Sequence, residues 1–367
     1  MIRKRKLGKK QKTNLAMLSM ILMSILSLVV FLVVTHEPSE EEITDLPIQQ
    51  LNMGEALLSY TLSDHPEFHV NESVIYVSLA GRILLFSWDE GDAIWEVSHS
   101  LIEARMIGNG EYVALWEAGR NEVWLFNAEG LSRVLTQPNP IIHLALHPTG
   151  KVAMVMEVAE GHYLRVLTSE GEAQFETPLQ DANILPLGLT FAEDQLAIPL
   201  MDVGQLAIMT SVMLVDLATG SLRGQTVWIP DLVHQLVFWQ DQLVMSYGQG
   251  VRSVNQESLL PLWEIEVVAH TFWPMAEVLA IETPDALSFI NRAGEVVSSQ
   301  SLAGVTYIRA EAEEVILGRG RHFYGMTETG EVLWQFVSVP EPLGILPLGG
   351  DRWLLKTPLG AFSLQWG

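Results

Sequence analysis

Beyond residue 53 the apolar positions come in short runs, not at helical spacing. Val74-Ile75-Tyr76-Val77 and Arg82-Ile83-Leu84-Leu85-Phe86 set the pattern: four or five residues, rich in aliphatic and aromatic types, bounded by Gly, Asp, Asn or Pro. Runs of this length between turn residues predict strands, and their succession predicts an all-β domain.

The turns recur. Asp89-Glu90-Gly91, Asn127-Ala128-Glu129-Gly130, Thr168-Ser169-Glu170-Gly171, Asp216-Leu217-Ala218-Thr219-Gly220, Asn291-Arg292-Ala293-Gly294 and Thr327-Glu328-Thr329-Gly330 each follow an apolar strand. A degenerate copy, Asn255-Gln256-Glu257-Ser258, fills the gap. Asx residues and Gly suit a tight hairpin because they tolerate positive φ. The closing positions 91, 130, 171, 220, 258, 294 and 330 lie 36–49 residues apart, the repeat length of a four-stranded propeller blade.

Two repeats carry a family resemblance. Val74 to Val97, VIYVSLAGRILLFSWDEGDAIWEV, and Val315 to Phe336, VILGRGRHFYGMTETGEVLWQF, both place Trp four residues after the turn glycine. In this they resemble the quinoprotein-like β-propellers, whose repeat is of the PQQ type. Ala145 to Val155, ALHPTGKVAMV, is similar to the inner hairpin of many propellers. The pattern assigns blades to 65–99, 101–136, 141–179, 184–229, 232–267, 268–302 and 304–339. Residues 341–367 have room for three strands, Leu343 to Leu348, Trp353 to Lys356 and Ala361 to Trp366. The missing outer strand is expected at Glu55 to Leu62, so that one terminus closes the ring and removes both exposed edges. Eight blades are expected, with seven as the alternative if 184–229 is miscounted.

The segment before residue 53 has a different character. Residues 1–13 read as a cytoplasmic tail holding seven basic residues and no acidic one. Leu15 to Val34 is uncharged over twenty residues, enough at about 1.5 Å per residue to span a hydrocarbon core of roughly 30 Å. The run is longer than a signal peptide's apolar region and exits through Val34-Thr35-His36-Glu37, a poor cleavage site. An uncleaved signal anchor over 14–35 is therefore expected, with the C-terminal domain outside the cytoplasm. Residues 36–52 read as an acidic stalk and 53–367 as the propeller.

Composition narrows the chemistry. The net charge of −23 divides into +7 in the tail and −30 beyond it, which argues against nucleic acid as a partner. With no cysteine there is no disulfide, thiolate ligand or lipidated cysteine. The resemblance implies calcium, a quinone, a catalytic Asp and often a vicinal disulfide in the dehydrogenases of the family. Here that disulfide is impossible and no matching cofactor motif is found, so no cofactor, metal or catalytic residue is expected. His65, His69, His99, His143, His147, His162, His234, His270 and His322 show no tight ligand spacing and read as turn or strand residues. Asp89-Glu90-Gly91-Asp92 lacks the EF-hand pattern. Trp95, Trp263 and Trp334, with Trp228 in a looser place, are expected to pack between blades.

Antiparallel alternation sorts the turns onto two faces. First-to-second and third-to-fourth strand turns share one, the turn face, which collects Glu72, Glu111, Glu193, Asp194, Asp241, Glu277, Glu313, Glu314 and Asp351 together with the acids of the repeated hairpins; Lys151 and Arg292 are its expected cations. Second-to-third turns and blade-to-blade connections share the other, the connection face. There the sequence places Arg82, Arg120, Arg252, Arg319 and Arg321, beside glycines. Guanidinium forks match carboxylate or phosphate, making these five the candidate partner-binding residues; Gly-Arg is also ordinary turn-to-strand chemistry. The expected function is a non-catalytic, membrane-anchored extracytoplasmic propeller that binds proteins, in cell-envelope assembly, similar to uncharacterised anchored propellers of Gram-positive bacteria. The alternative is a receptor for a small anionic ligand or wall glycan, and the third reading a quinoprotein-like enzyme.

Overall fold

The computed structural model describes residues 49–71, 74–88, 92–179, 183–204, 206–311, 313–348 and 352–366. The expected tail, membrane helix and most of the stalk fall outside these, as do Glu72, Asp89, Glu90, Gly91 and Asp351. Among the described residues the one helical turn is Leu62–Asp64, and no helix is long and apolar enough to cross a membrane.

The described chain is an all-β ring of eight blades. Seven four-stranded antiparallel blades span 67–98, 105–136, 141–179, 184–225, 233–266, 271–301 and 307–337. In blade 4 the innermost position is split into two short strands, Ile184–Pro186 and Thr190–Phe191. Blade 8 comprises Gly344–Pro347, Arg352–Thr357 and Gly360–Trp366, with Gln49–Ser59 as its outer strand.

That closing strand starts earlier than expected. It runs antiparallel to Gly360–Trp366, Leu51 opposite Trp366 and Ser59 opposite Gly360, so residues 49–52 belong to the sheet and not to the stalk. Gln49 and Gln50 also pair, in parallel, with Trp334 and Gln335 of the outer strand of blade 7. One segment thus joins the edges of two blades. By the direction of pairing, it begins at the turn face and ends at the connection face.

The second and third strands are buried on both sides and read as apolar runs, as in Ile83–Phe86, while the outer strands alternate exposed and half-buried, as in Pro261–Glu266. Eight apolar clusters fill the eight seams between neighbouring blades. Tyr76, Ile83 and Leu85 of blade 1 meet Val113, Leu115 and Phe126 of blade 2. At the closing seam Leu346 and Leu354 of blade 8 meet Ile75, Val77 and Phe86 of blade 1.

Two local assignments change. The degenerate hairpin closes one residue later than expected: Leu259, at φ +55°, stands where the other copies have a left-handed glycine such as Gly294 at φ +84°. Trp263 therefore follows its turn-closing residue by four, as Trp95 and Trp334 follow theirs in sequence. Trp228 lies beyond the outer strand Leu222–Gln225, in the exposed connection to blade 5, and not between blades.

Candidate functional site

Several of the histidines and tryptophans join neighbouring blades. His69 points its Nε2 at the Gly110 carbonyl, 3.5 Å away in blade 2, and His143 does the same to the Pro186 carbonyl, 2.9 Å away in blade 4. Burial lowers the pKa of both, the carbonyls opposing it only in part. Trp95 stacks on Phe126 of blade 2, centroids 5.6 Å apart, and Trp334 is buried edge-on against Trp353 of blade 8. Among the described residues no group of three His, Asp or Glu could hold a metal ion.

The turn face carries carboxylates on nearly every blade, among them Glu111, Glu170, Glu257, Glu277 and Glu328. Besides Lys151 and Arg292, a third cation belongs with them: Arg223 lies 2.7 Å from Asp194 and 2.7 Å from Asp216. Hydrogen bonds from Arg223, then from Thr219, hold the Asp216 carboxyl down to about 2. Arg292 pairs with Asp241.

On the connection face the five candidate arginines do not converge. Arg82 opens the third strand of blade 1 and pairs with Glu96 on its fourth at 3.1 Å. Arg120 pairs with Glu117 of the same loop at 3.4 Å, while Glu117 also accepts the Ile102 backbone N–H at 2.9 Å. Arg252 lies inside the strand Gly250–Asn255, not in its turn; it grips both carboxylate oxygens of Glu264, at 2.9 and 3.0 Å, and lies over the Tyr247 ring. Arg319 reaches the Ser301 carbonyl at 3.4 Å. Arg321 is exposed and has no side-chain partner among the described residues. Asp64, Glu103, Glu160, Asp231, Asp285 and Glu341 share this face, so it is not basic.

What distinguishes the connection face is apolar. Among the described residues, every large hydrophobic side chain left exposed in a turn or connection lies there, Leu260 excepted. Ile102 (78% exposed), Val227 (71%), Val339 (76%) and Leu359 (74%) come from four different inter-strand loops, with Val203, Leu206, Ile208 and Val268 between them. The other exposed hydrophobics sit on outer strands. Between blades 1 and 2 a cavity of about 510 Å³ is lined by Ile102, Leu101, Asp64 and Glu103. The sequence hid this because each loop contributes only one to three such residues, and their common face appears only once strand order is applied.

A family of unknown function, DUF5711, matches residues 59–219, less than half of the chain. No curated protein matches. Among solved structures the chain is similar to the computationally designed Ika8 protein, at 12% identity and TM-score 0.63. It is similar as well to Sqt1 of Saccharomyces cerevisiae, at 10% and 0.61, and to BamB from Moraxella catarrhalis, at 10% and 0.55. In each case 86% of this chain and 100% of the other are covered. At these identities the likeness is one of fold, the β-propeller.

Proposed function

We propose that this chain is a non-catalytic, membrane-anchored propeller outside the cytoplasm whose connection face docks protein partners, in the assembly of the cell envelope. The observation that carries the docking is the segregation of exposed apolar side chains onto that face. Apolar anchors set among carboxylates and a few arginines have the make-up of a protein interface, whereas scattered single hydrophobics would need no explanation. The acidic residues of the same face oppose docking on anionic lipid, which favours a protein. Arg319 and Arg321 would meet carboxylates of the partner at its edge.

Anchoring is supported by the uncharged stretch 15–34 behind a basic tail. The closing strand begins at the turn face, so the preceding chain joins the ring there.

Photo-crosslinking in intact cells tests the reading. A photoreactive residue at Ile102, Val339 or Leu359 is expected to yield a discrete protein adduct that the same residue at Glu129 or Glu170 does not. The double variant Ile102→Glu, Val339→Glu should lose the Leu359 adduct. Equal adducts from both faces would overturn it.

A further inference from the structure

Lys356 is a half-buried cation with no counterion. It lies on the second strand of blade 8, where its ammonium sits 5.6 Å from the centre of the Phe68 ring of blade 1, and among the described residues neither a carboxylate nor a hydrogen-bond acceptor meets it. Burial, with the charge of Arg309 added, lowers its pKa. An ammonium taken out of water without a counterion is unfavourable, and proteins keep such a group where something else completes it.

Lys356 also forms part of a wall. A cavity of about 720 Å³ is lined by it, by the first strands of blades 6, 7 and 8, including Arg309, Trp273, Ile308 and Leu346, and by Glu311 just beyond the first strand of blade 7. First strands face the axis of a propeller, so the cavity opens on the central channel and not on the docking face. Its volume falls in the usual range for small-molecule pockets, roughly 300–1,000 Å³. Arg309 is paired with Glu311, leaving Lys356 as the unneutralised charge. The formal charges of Lys356, Arg309 and Glu311 sum to +1, set beside the apolar bodies of Trp273, Ile308 and Leu346.

We propose that this axial cavity binds a small organic monoanion, a carboxylate on an apolar or aromatic body. Its carboxylate lies between Lys356 and Arg309 and its body against Trp273 and Leu346. A dianion such as inorganic phosphate would leave charge uncompensated and could not use the apolar wall. The site is independent of the docking face, and losing it leaves the crosslinking expectations above unchanged.

Calorimetric titration of the full-length protein in nonionic detergent with benzoate, hexanoate, benzamide and inorganic phosphate tests this. At least one of the two carboxylates is expected to saturate a single site, with benzamide and phosphate at least tenfold weaker. Lys356→Met should weaken carboxylate binding at least tenfold without lowering the melting temperature, because Met preserves packing on Phe68 and removes the unpaired charge. Arg133→Ser, exposed on the outer strand Gly130–Thr136 of blade 2 and away from the axis, should bind as the parent does. No saturable carboxylate binding, benzamide or phosphate equal to the carboxylates, or full affinity in Lys356→Met would each overturn the proposal; a destabilised Lys356→Met would show that the lysine is structural.

Discussion

The side chain of Leu259, at the close of the third-to-fourth turn in blade 5, fills the space above Gly224 on the outer strand of blade 4, where an added Cβ would lie 2.8 Å from Leu259 Cδ1. Elsewhere the sizes are exchanged. The Phe175 ring of blade 3 covers Gly220, and the Trp263 ring of blade 5 covers Gly294, whose Cβ would fall 2.6 Å from Trp263 Cγ. Each large residue stands four positions after the closing residue of its own turn and covers that of the next blade. The glycine of the motif is therefore needed twice, for its left-handed backbone and for the neighbour's ring.

This makes a swap testable. Gly224→Phe alone overpacks the seam and should cost about 1–3 kcal/mol. Leu259→Gly alone relieves a left-handed residue, worth roughly 1–2 kcal/mol, but removes packing of similar size. Together they recreate the Phe175–Gly220 arrangement, and their coupling should be favourable by about 1–3 kcal/mol. Strict additivity of urea midpoints in the cycle would sink the exchange.

The arginines separate into structural and free. Arg252 is gripped by Glu264 and stacked on Tyr247, with its side chain only 19% exposed, so Arg252→Ser should cost on the order of 1–2 kcal/mol by stranding Glu264 and the ring. Arg321→Ser should stay within about 0.5 kcal/mol of the parent. Equal effects in chemical denaturation would contradict the pairing.

Closure depends on Leu51. It is buried against Trp334, Phe336, Trp353 and Leu355, at the join of blades 7 and 8. Leu51→Ala should cost about 2–4 kcal/mol. A chain beginning at residue 61 should also self-associate on size-exclusion chromatography, because the strand Gly360–Trp366 then offers an unpaired edge. A monomer as stable as the parent would show that the closing strand is dispensable.

The ring was legible because one turn chemistry repeats: Asx or Thr at the start, glycine at the close, an apolar strand before. It blurred where packing replaced that chemistry, as at Leu259, whose side chain the seam requires, and around Trp228, where the chain leaves its strand early. The arginine positions were legible, but their partners were not. Glu264 faces Arg252 only through strand register, and Arg309 and Lys356 line one cavity only because blades 7 and 8 converge on the axis.

Glu314 sets a pH dependence whose sign can be stated. Its carboxylate accepts the Trp334 indole N–H at 2.9 Å beside blade 8, yet burial raises its pKa above the ordinary carboxylate value, opposed by that hydrogen bond. The folded state thus holds this proton more tightly than the unfolded chain does. The resulting stabilisation is complete below the unfolded pKa and is lost as pH rises through the folded one. Glu314→Gln keeps an acceptor for the indole and removes the charge, so it should stabilise the protein at pH 8, on the order of 1 kcal/mol. Below about pH 4, where an ordinary glutamate is largely protonated, the two proteins should melt together. Melting temperatures of parent and variant at the two pH values decide it: a gain that persists in acid, or none at pH 8, would mean that the buried charge is not what Glu314 contributes.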